Sequence, residues 1–130
     1  MKKPPTDRET LKIIHDHYYK TFISYGITDD SRESKMYVPI NCEELANKLK
    51  VDPDIVFGRL YYHLDKKYGY QQSNGSKVHL FAMQVGKDRH AVHFPLLSAV
   101  LAEQNNNLFQ FYAPLMISIF ALTISFIGAL

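Results

Sequence analysis

Cysteine is nearly absent from this chain, since Cys42 is the only one among 130 residues. This count excludes an intramolecular disulfide framework and a cysteine-based zinc cage. The six glycines stand apart from one another, so the sequence has no glycine-rich loop that could hold a phosphate. Neither sign of charge dominates, because 15 Lys and Arg residues face 13 Asp and Glu residues for a formal net charge of +2. Such a balance gives no strong electrostatic attraction for nucleic acid.

Charge is missing altogether from the 27 residues that follow Glu103. Within them, residues 108–130 consist mainly of Phe, Ile, Leu, Met and Ala. A helix of this length extends about 34 Å, enough for a hydrocarbon core of about 30 Å. A buried core helix is the alternative, but it would normally show a polar stripe, and residues 113–130 offer only single hydroxyls. We therefore predict that residues 108–130 form a transmembrane tail anchor in the lipid bilayer.

The sequence leaves the start of this anchor open. If the helix begins at Pro114, 17 residues remain, whereas a start near Leu108 places the proline inside the helix as a kink. All positive charges precede the anchor, and Lys87 and Arg89 are the nearest. The positive-inside rule therefore favours a single-pass membrane protein whose N-terminal domain is cytoplasmic.

The first part of the charged region reads as a helix followed by a short strand. Residues 1–5 are predicted to be a disordered lead. Thr6 and Glu9 then have the spacing of a capping box, and apolar residues recur every three or four positions to predict a helix over about 7–25. Residues 36–40 form a β-type run, and Pro39 confines it to an edge or a strand end.

Two more helices are predicted on either side of a tight connection at residues 50–52. Asn41 is suited to cap the first of them. Asp52 is suited to cap the second, with Pro53 at its first position, and Gly69 is expected to end it.

The rest of the charged region is predicted to be a hairpin and a connection to the anchor. Strands at 77–85 and 90–94 flank a turn at residues 86–89, in a register that pairs Val85 with His90. That register places Phe81, Met83, Val85, Val92 and Phe94 on one core-facing side. Residues 96–107 are predicted to be a short helix to about Glu103 followed by a polar hinge.

Residues 42–70, CEELANKLKVDPDIVFGRLYYHLDKKYGY, carry a resemblance to a known fold. Ala46 is a small residue where two helices cross, Val51 is apolar in the turn, and Val56 and Leu60 follow at buried positions. Together with the order of elements, this pattern resembles a winged helix-turn-helix domain covering residues 6–95. The predicted fold class is thus α+β, with three helices, a small β-hairpin wing and a C-terminal transmembrane helix.

The resemblance implies that double-stranded DNA is bound, with residues 53–68 as the recognition helix and 77–94 as the wing. The candidate DNA-binding residues are Arg59, Tyr62, Lys66, Lys67, Lys87 and Arg89. Residues 41–69 carry five basic and five acidic side chains, so a monomer should bind DNA weakly. Membrane attachment or dimerisation would compensate by raising the effective concentration.

No constellation of residues indicates catalysis. His15 and His17 are two residues apart and would point about 200° apart on a helix. His79, His90 and His93 lie on the hairpin without forming a three-ligand set. The sequence therefore predicts no enzyme, no metal site and no cofactor.

Three functions remain open at this point. The first is a membrane-tethered winged-helix DNA-binding protein, a transcriptional regulator held at the membrane. The second is a membrane-anchored adaptor that binds a protein partner through its tyrosines, which are Tyr61, Tyr62, Tyr68 and Tyr70. The third is a small membrane effector that self-associates and acts through its oligomerised anchor.

Overall fold

The structure, a computed structural model, describes residues 3–27, 34–86 and 88–129. Its helices are α1 (Asp7–Ile23), α2 (Cys42–Leu49), α3 (Pro53–Gly58), α4 (Asp65–Tyr68) and α5 (Phe94–Ala129). Its strands are β1 (Tyr37–Pro39), β2 (Tyr70–Gln71), β3 (Lys77–Val78), β4 (Phe81–Val85) and β5 (Asp88–His93). The α+β class predicted from the sequence is confirmed. We refer to everything before the exposed part of α5 as the head.

Helix α1 begins where the capping box predicts. The Thr6 hydroxyl accepts a hydrogen bond from the Glu9 backbone N–H at 3.1 Å, and the Glu9 carboxylate accepts one from the Thr6 N–H at 3.2 Å. These bonds satisfy two of the free donors at the helix start. The helix ends at Ile23, and Gly26 beyond it adopts a left-handed φ of +78°.

Residues 53–68 form one helical stretch, which we call the third helix. It consists of α3, a π-helical segment over Arg59–Leu64, and α4. The Asp52 side chain caps it by accepting from the Asp54 N–H at 2.8 Å, as Asn41 caps α2. The helix ends at Gly69 as predicted, where the backbone becomes extended. A Cβ at this position would lie 2.5 Å from the Asp65 carbonyl oxygen, so the close approach requires glycine.

The main sheet is antiparallel in the order β1-β5-β4, and β2 pairs separately with β3. Val85 pairs with Asp88, so the predicted pairing of Val85 with His90 is wrong. The physical reason is the turn: Gly86, at φ +59°, permits a connection of two residues in place of the predicted four. The predicted strand at 77–85 also divides, because its first two residues belong to β3.

This register determines which hairpin residues reach the core. Phe81 lies opposite Val92, and both are buried, whereas Met83 is 44% exposed. The predicted core-facing side is therefore buried at the end of the hairpin nearest the helices, whereas it is exposed to solvent near the turn. The core itself is built mainly from α1, the third helix, the sheet and the start of α5. Its largest fully buried members are Phe81, Phe94, Leu11, Ile14, Leu45, Leu60, Leu64, Leu80 and Leu97.

Helix α5 runs without interruption from the core of the head to Ala129. The predicted polar hinge at 104–107 is therefore wrong. These residues stay helical because the side chains of two of them bind the head. The Gln104 Nε2 donates to the Tyr68 hydroxyl at 3.0 Å, and the Asn105 Oδ1 accepts from the Arg8 Nε at 3.2 Å. Pro114 lies inside the helix and so does not begin it.

The second half of α5 is exposed over its described residues. From Phe109 to Gly128 every described side chain is exposed except that of Ala113, which is half-exposed. Within the described residues, one helix is long and apolar enough to cross a membrane, over Phe94–Ser125 with a mean hydropathy of 1.7. An exposed apolar surface of this size is typical of a segment that contacts a membrane or another protein.

Candidate nucleic-acid interface

A groove of about 980 Å³ lies between the third helix and the strands that follow it. Four consecutive residues of β4, from Phe81 to Gln84, line it. Neighbouring strand residues point to opposite faces, so this lining shows that the groove follows the free edge of β4. The other polar and aromatic lining residues include Tyr61, Tyr62, Lys66, Tyr70, Lys77 and His79.

Tyrosine rings form the helix side of the groove. Tyr62 is 70% exposed and Tyr61 42% exposed. Phe57 stacks on Tyr61 at 5.4 Å between ring centroids, and Tyr62 meets Tyr61 edge-on at 4.9 Å. The contacts hold the exposed rings in fixed orientations, which lowers the entropy cost of binding a partner to them.

Asp65 holds the two sides of the groove together. Its carboxylate is largely buried and accepts hydrogen bonds from the Phe81 N–H and from His79 Nδ1, each at 3.2 Å. The third helix and the start of β4 are thereby fixed to each other. The sequence does not signal this role, since Asp65 stands in a run of charged residues that reads as a solvated surface.

Two of the predicted DNA-binding residues lie outside the groove. Arg59, His63 and Lys67 are four residues apart along the third helix, and all three contact Asp7 at the start of α1. The His63 Nε2 lies 3.1 Å and the Lys67 Nζ 3.3 Å from an Asp7 carboxylate oxygen. We call these four residues the Asp7 cluster. Arg59 and Lys67 therefore face α1 and share one counter-ion.

Contacts within the Asp7 cluster shift the pKa values of Asp7 and Lys67. Burial disfavours the ionised form of Asp7, but hydrogen bonds from His63 and Lys67 and the charge of Arg59 outweigh it, so the pKa of the Asp7 carboxyl is lowered. In return, the hydrogen bond to Asp7 raises the pKa of the Lys67 ammonium. Both groups thus remain charged over a wider pH range than isolated side chains would.

The other four predicted residues are divided between the groove, the hairpin and a position outside the described residues. Tyr62 and Lys66 line the groove and are exposed. Arg89 is exposed on β5 opposite Gln84, a groove residue. Lys87 lies outside the described residues. Lys77 is a groove cation that the sequence did not single out, although its place next to a turn is where an exposed cation is expected.

Within the described ranges, no group of three or more His, Cys, Asp or Glu side chains could hold a metal ion. Cys42 is half-buried at the start of α2, and burial raises the pKa of its thiol. A thiol in this state is a poor nucleophile at neutral pH. The chemistry offered by the groove is thus stacking, hydrogen bonding and cationic contact.

Comparisons of the chain with protein-family models, with curated proteins and with solved structures gave no match.

Proposed function

We propose that the chain is a membrane-tethered winged-helix DNA-binding protein that acts as a transcriptional regulator. The observation that carries this proposal is the exposed pair of Tyr62 and Lys66 on the third helix, beside the β4–β5 hairpin across one groove. In a helix-turn-helix protein the second helix of the pair enters the major groove. The third helix follows α2 after a short connection in which Lys50 adopts a left-handed φ of +59°. The β4–β5 hairpin, which shares the groove with this helix, would serve as the wing.

The charge distribution supports weak binding by a single head. Arg59 and Lys67 share the Asp7 carboxylate, so fewer free cations face a duplex than the sequence offers. The logarithm of the binding constant falls linearly with the logarithm of the salt concentration, and each neutralised phosphate makes this slope steeper by about 0.9. Two or three contacts, from Lys66, Lys77 and Arg89, give a shallow dependence. Confinement to a membrane surface raises the local concentration of heads and offsets the low affinity.

A duplex-binding assay on the full chain in detergent tests the proposal. Fluorescence anisotropy with a labelled duplex at about 50 mM and about 200 mM salt should show binding that weakens with salt. Lys66→Gln should make the slope of log binding constant against log salt concentration shallower by about 0.9, the contribution of one phosphate. Lys48→Gln, an exposed lysine of α2, is the matched control and should bind as the unmodified chain does. The proposal fails if no duplex binds at the lower salt, or if Lys66→Gln and Lys48→Gln behave alike.

The membrane part of the proposal places residues 108–129 of α5 across the bilayer and the head in the cytoplasm. Its support is the uncharged, exposed second half of α5 together with the cations confined to the N-terminal side. Carbonate extraction should leave the full chain in the membrane pellet, whereas a variant truncated after Asn107 should be soluble. The cut is placed there because Gln104 and Asn105 bind the head. A full chain released by carbonate would contradict the anchor.

The exposed tyrosines favour a second candidate, a membrane-anchored protein-interaction adaptor. Tyr62 and Tyr70 are more than half exposed, and aromatic residues are enriched at protein interfaces. An adaptor predicts that Tyr62→Ala abolishes capture of a protein partner, whereas Lys66→Gln does not. The DNA-binding proposal predicts that Lys66→Gln weakens duplex binding, so the two variants separate the candidates.

A further inference from the structure

We propose that the end of the head nearest the membrane docks on anionic phospholipid headgroups through Arg8 and Lys67. The inference rests on the proposed anchoring by α5 and is independent of DNA binding. It follows from where α5 leaves the head, how far that point lies from the apolar segment, and which charges surround it.

Helices α1 and α5 run antiparallel in the head. Phe94, at the start of α5, stacks on Phe22 near the end of α1 at 4.7 Å between ring centroids. Asn105, eleven residues later in α5, binds Arg8 at the start of α1. The N-terminal end of α1 therefore lies where α5 leaves the head.

The C-terminal end of the third helix lies at the same place. The Gln104 amide binds the Tyr68 hydroxyl at 3.0 Å, and Tyr68 is the last residue of α4. Lys67 precedes it, and its ammonium lies 5.2 Å from the centroid of the Tyr68 ring. Arg8 and Lys67 thus flank the exit of α5 from two different helices.

The exit point lies at headgroup depth if the apolar segment spans the hydrocarbon core. Asn105 precedes Leu108 by three residues, which is about 4.5 Å of helix. The headgroup layer adds about 5–7 Å on each side of the hydrocarbon. Because α5 is continuous across this stretch, Arg8, Lys67 and Tyr68 are held within or beside that layer. Tyr68 has the amphipathic ring that is enriched at this depth.

The charges at this end favour an anionic surface. Among the described residues at this end, five cations face four acids. The cations are Lys3, Arg8, Arg59, Lys66 and Lys67, and the acids are Asp7, Glu9, Asp65 and Glu103. Asp65 is buried and Asp7 is paired, so most of the exposed charge at this end is positive. The Lys67 side chain is 52% exposed even while it contacts Asp7. Cations close to a bilayer are attracted to anionic lipids over about one Debye length.

Amine acetylation of the full chain in vesicles tests the inference. One set of vesicles is phosphatidylcholine, and the other contains about 30% phosphatidylglycerol, comparable to an anionic leaflet. We expect Lys67 to react about fivefold more slowly in the anionic vesicles, and this protection to disappear at about 0.5 M salt. Lys20 serves as the internal reference, because it is twelve residues beyond Arg8 on α1, about 18 Å farther from the membrane. Its rate should depend little on the lipid.

Variants and flotation separate the possible failures. Arg8→Gln should reduce the protection of Lys67, whereas Lys20→Gln should leave it unchanged, and circular dichroism verifies that both variants are folded. Equal changes at Lys67 and Lys20 in chains that float with both vesicles would overturn this inference and leave the anchor intact. A chain that does not float with either vesicle would overturn the anchor, and this inference with it.

Discussion

Gly58 and Gly69 both belong to the third helix or its end, yet they differ in the space available to a methyl group. A Cβ at Gly69 would lie 2.5 Å from the Asp65 carbonyl oxygen, whereas a Cβ at Gly58 would meet its nearest atom, on Tyr62, at 4.0 Å. We expect Gly69→Ala to lower the free energy of unfolding by about 1–3 kcal/mol through overpacking. Gly58→Ala should raise it by about 0.5–1 kcal/mol, because alanine loses less backbone entropy. Urea denaturation of the full chain in detergent measures both, and shifts of the same sign would contradict the geometry.

Asp7 gives the stability of the head a dependence on pH. Because its pKa is lowered in the folded state, the stabilisation is complete above the unfolded value of about 3.9 and is lost as the pH falls through the folded value. Asp7→Asn should lower the free energy of unfolding by about 1.5–3 kcal/mol at pH 7, the range for hydrogen bonds to charged groups. The difference between variant and unmodified chain should shrink below about pH 4. Denaturation at a series of pH values measures it.

Asp16→Asn is the matched control for this measurement. Asp16 pairs with Lys12 on the surface, and its side chain is 61% exposed. Exposed pairs contribute about 0–1 kcal/mol. If Asp16→Asn lowers the free energy of unfolding at pH 7 as much as Asp7→Asn does, the contacts between Asp7 and the third helix do not stabilise the head more than an exposed ion pair does.

At the scale of the elements, α5 contributes to two environments. Leu97 is completely buried in the head, whereas Leu115 is 50% exposed in the apolar half of the helix. We expect Leu97→Ala to lower the free energy of unfolding of the head by about 2–5 kcal/mol, because it leaves a cavity in the core. Leu115→Ala should leave it unchanged. Hydrogen exchange of the α1 amides in the detergent-solubilised chain reports both, and equal effects would show that α5 is not part of the head.

The boundaries of the elements could be predicted wherever the determinant is local in sequence. Thr6, Asn41 and Asp52 cap their helices through bonds that reach two or three residues along the chain. The polar run at 104–107 could not be predicted as helix, because its partner Arg8 is 97 residues away. The asparagines alone give no strong helical preference, so contacts within the folded head decide their conformation.

The sequence could predict which residues of the candidate site are polar or aromatic surface groups, but not which of them bind each other in the folded head. Exposed residues at helical spacing identified Tyr62 and Lys66 as surface groups of the third helix. The same reasoning could not separate them from Arg59 and Lys67, whose partner Asp7 is 52 and 60 residues distant. The groove also depends on the division of the predicted strand at 77–85, which follows from pairing with β2 and not from the composition of the strand.

At the scale of the whole molecule, the third helix points its C-terminal end towards the proposed membrane. Asp52 and Asp54 occupy its far end, where negative charge stabilises a helix start. Lys66 and Lys67 occupy the near end, beside Tyr68 and the exit of α5. The cation proposed for DNA phosphates, Lys66, and the one proposed for lipid phosphates, Lys67, are therefore consecutive residues that point to different surfaces of the head. Lys66 faces the groove, whereas Lys67 faces α1 and the exit of α5.

The rigid connection through α5 can be tested by lengthening it. Seven helix-forming residues inserted after Asn107 would raise the head by about 10.5 Å and turn it by about 700°, so that it faces within about 20° of its original direction. Since the headgroup layer is about 5–7 Å thick, we expect Lys67 to lose its protection by anionic vesicles, while carbonate extraction and duplex binding stay unchanged. The acetylation rate of Lys67 relative to that of Lys20 measures this. Protection of Lys67 that survives the insertion would mean that the lipid acts on the head by a route other than the fixed distance along α5.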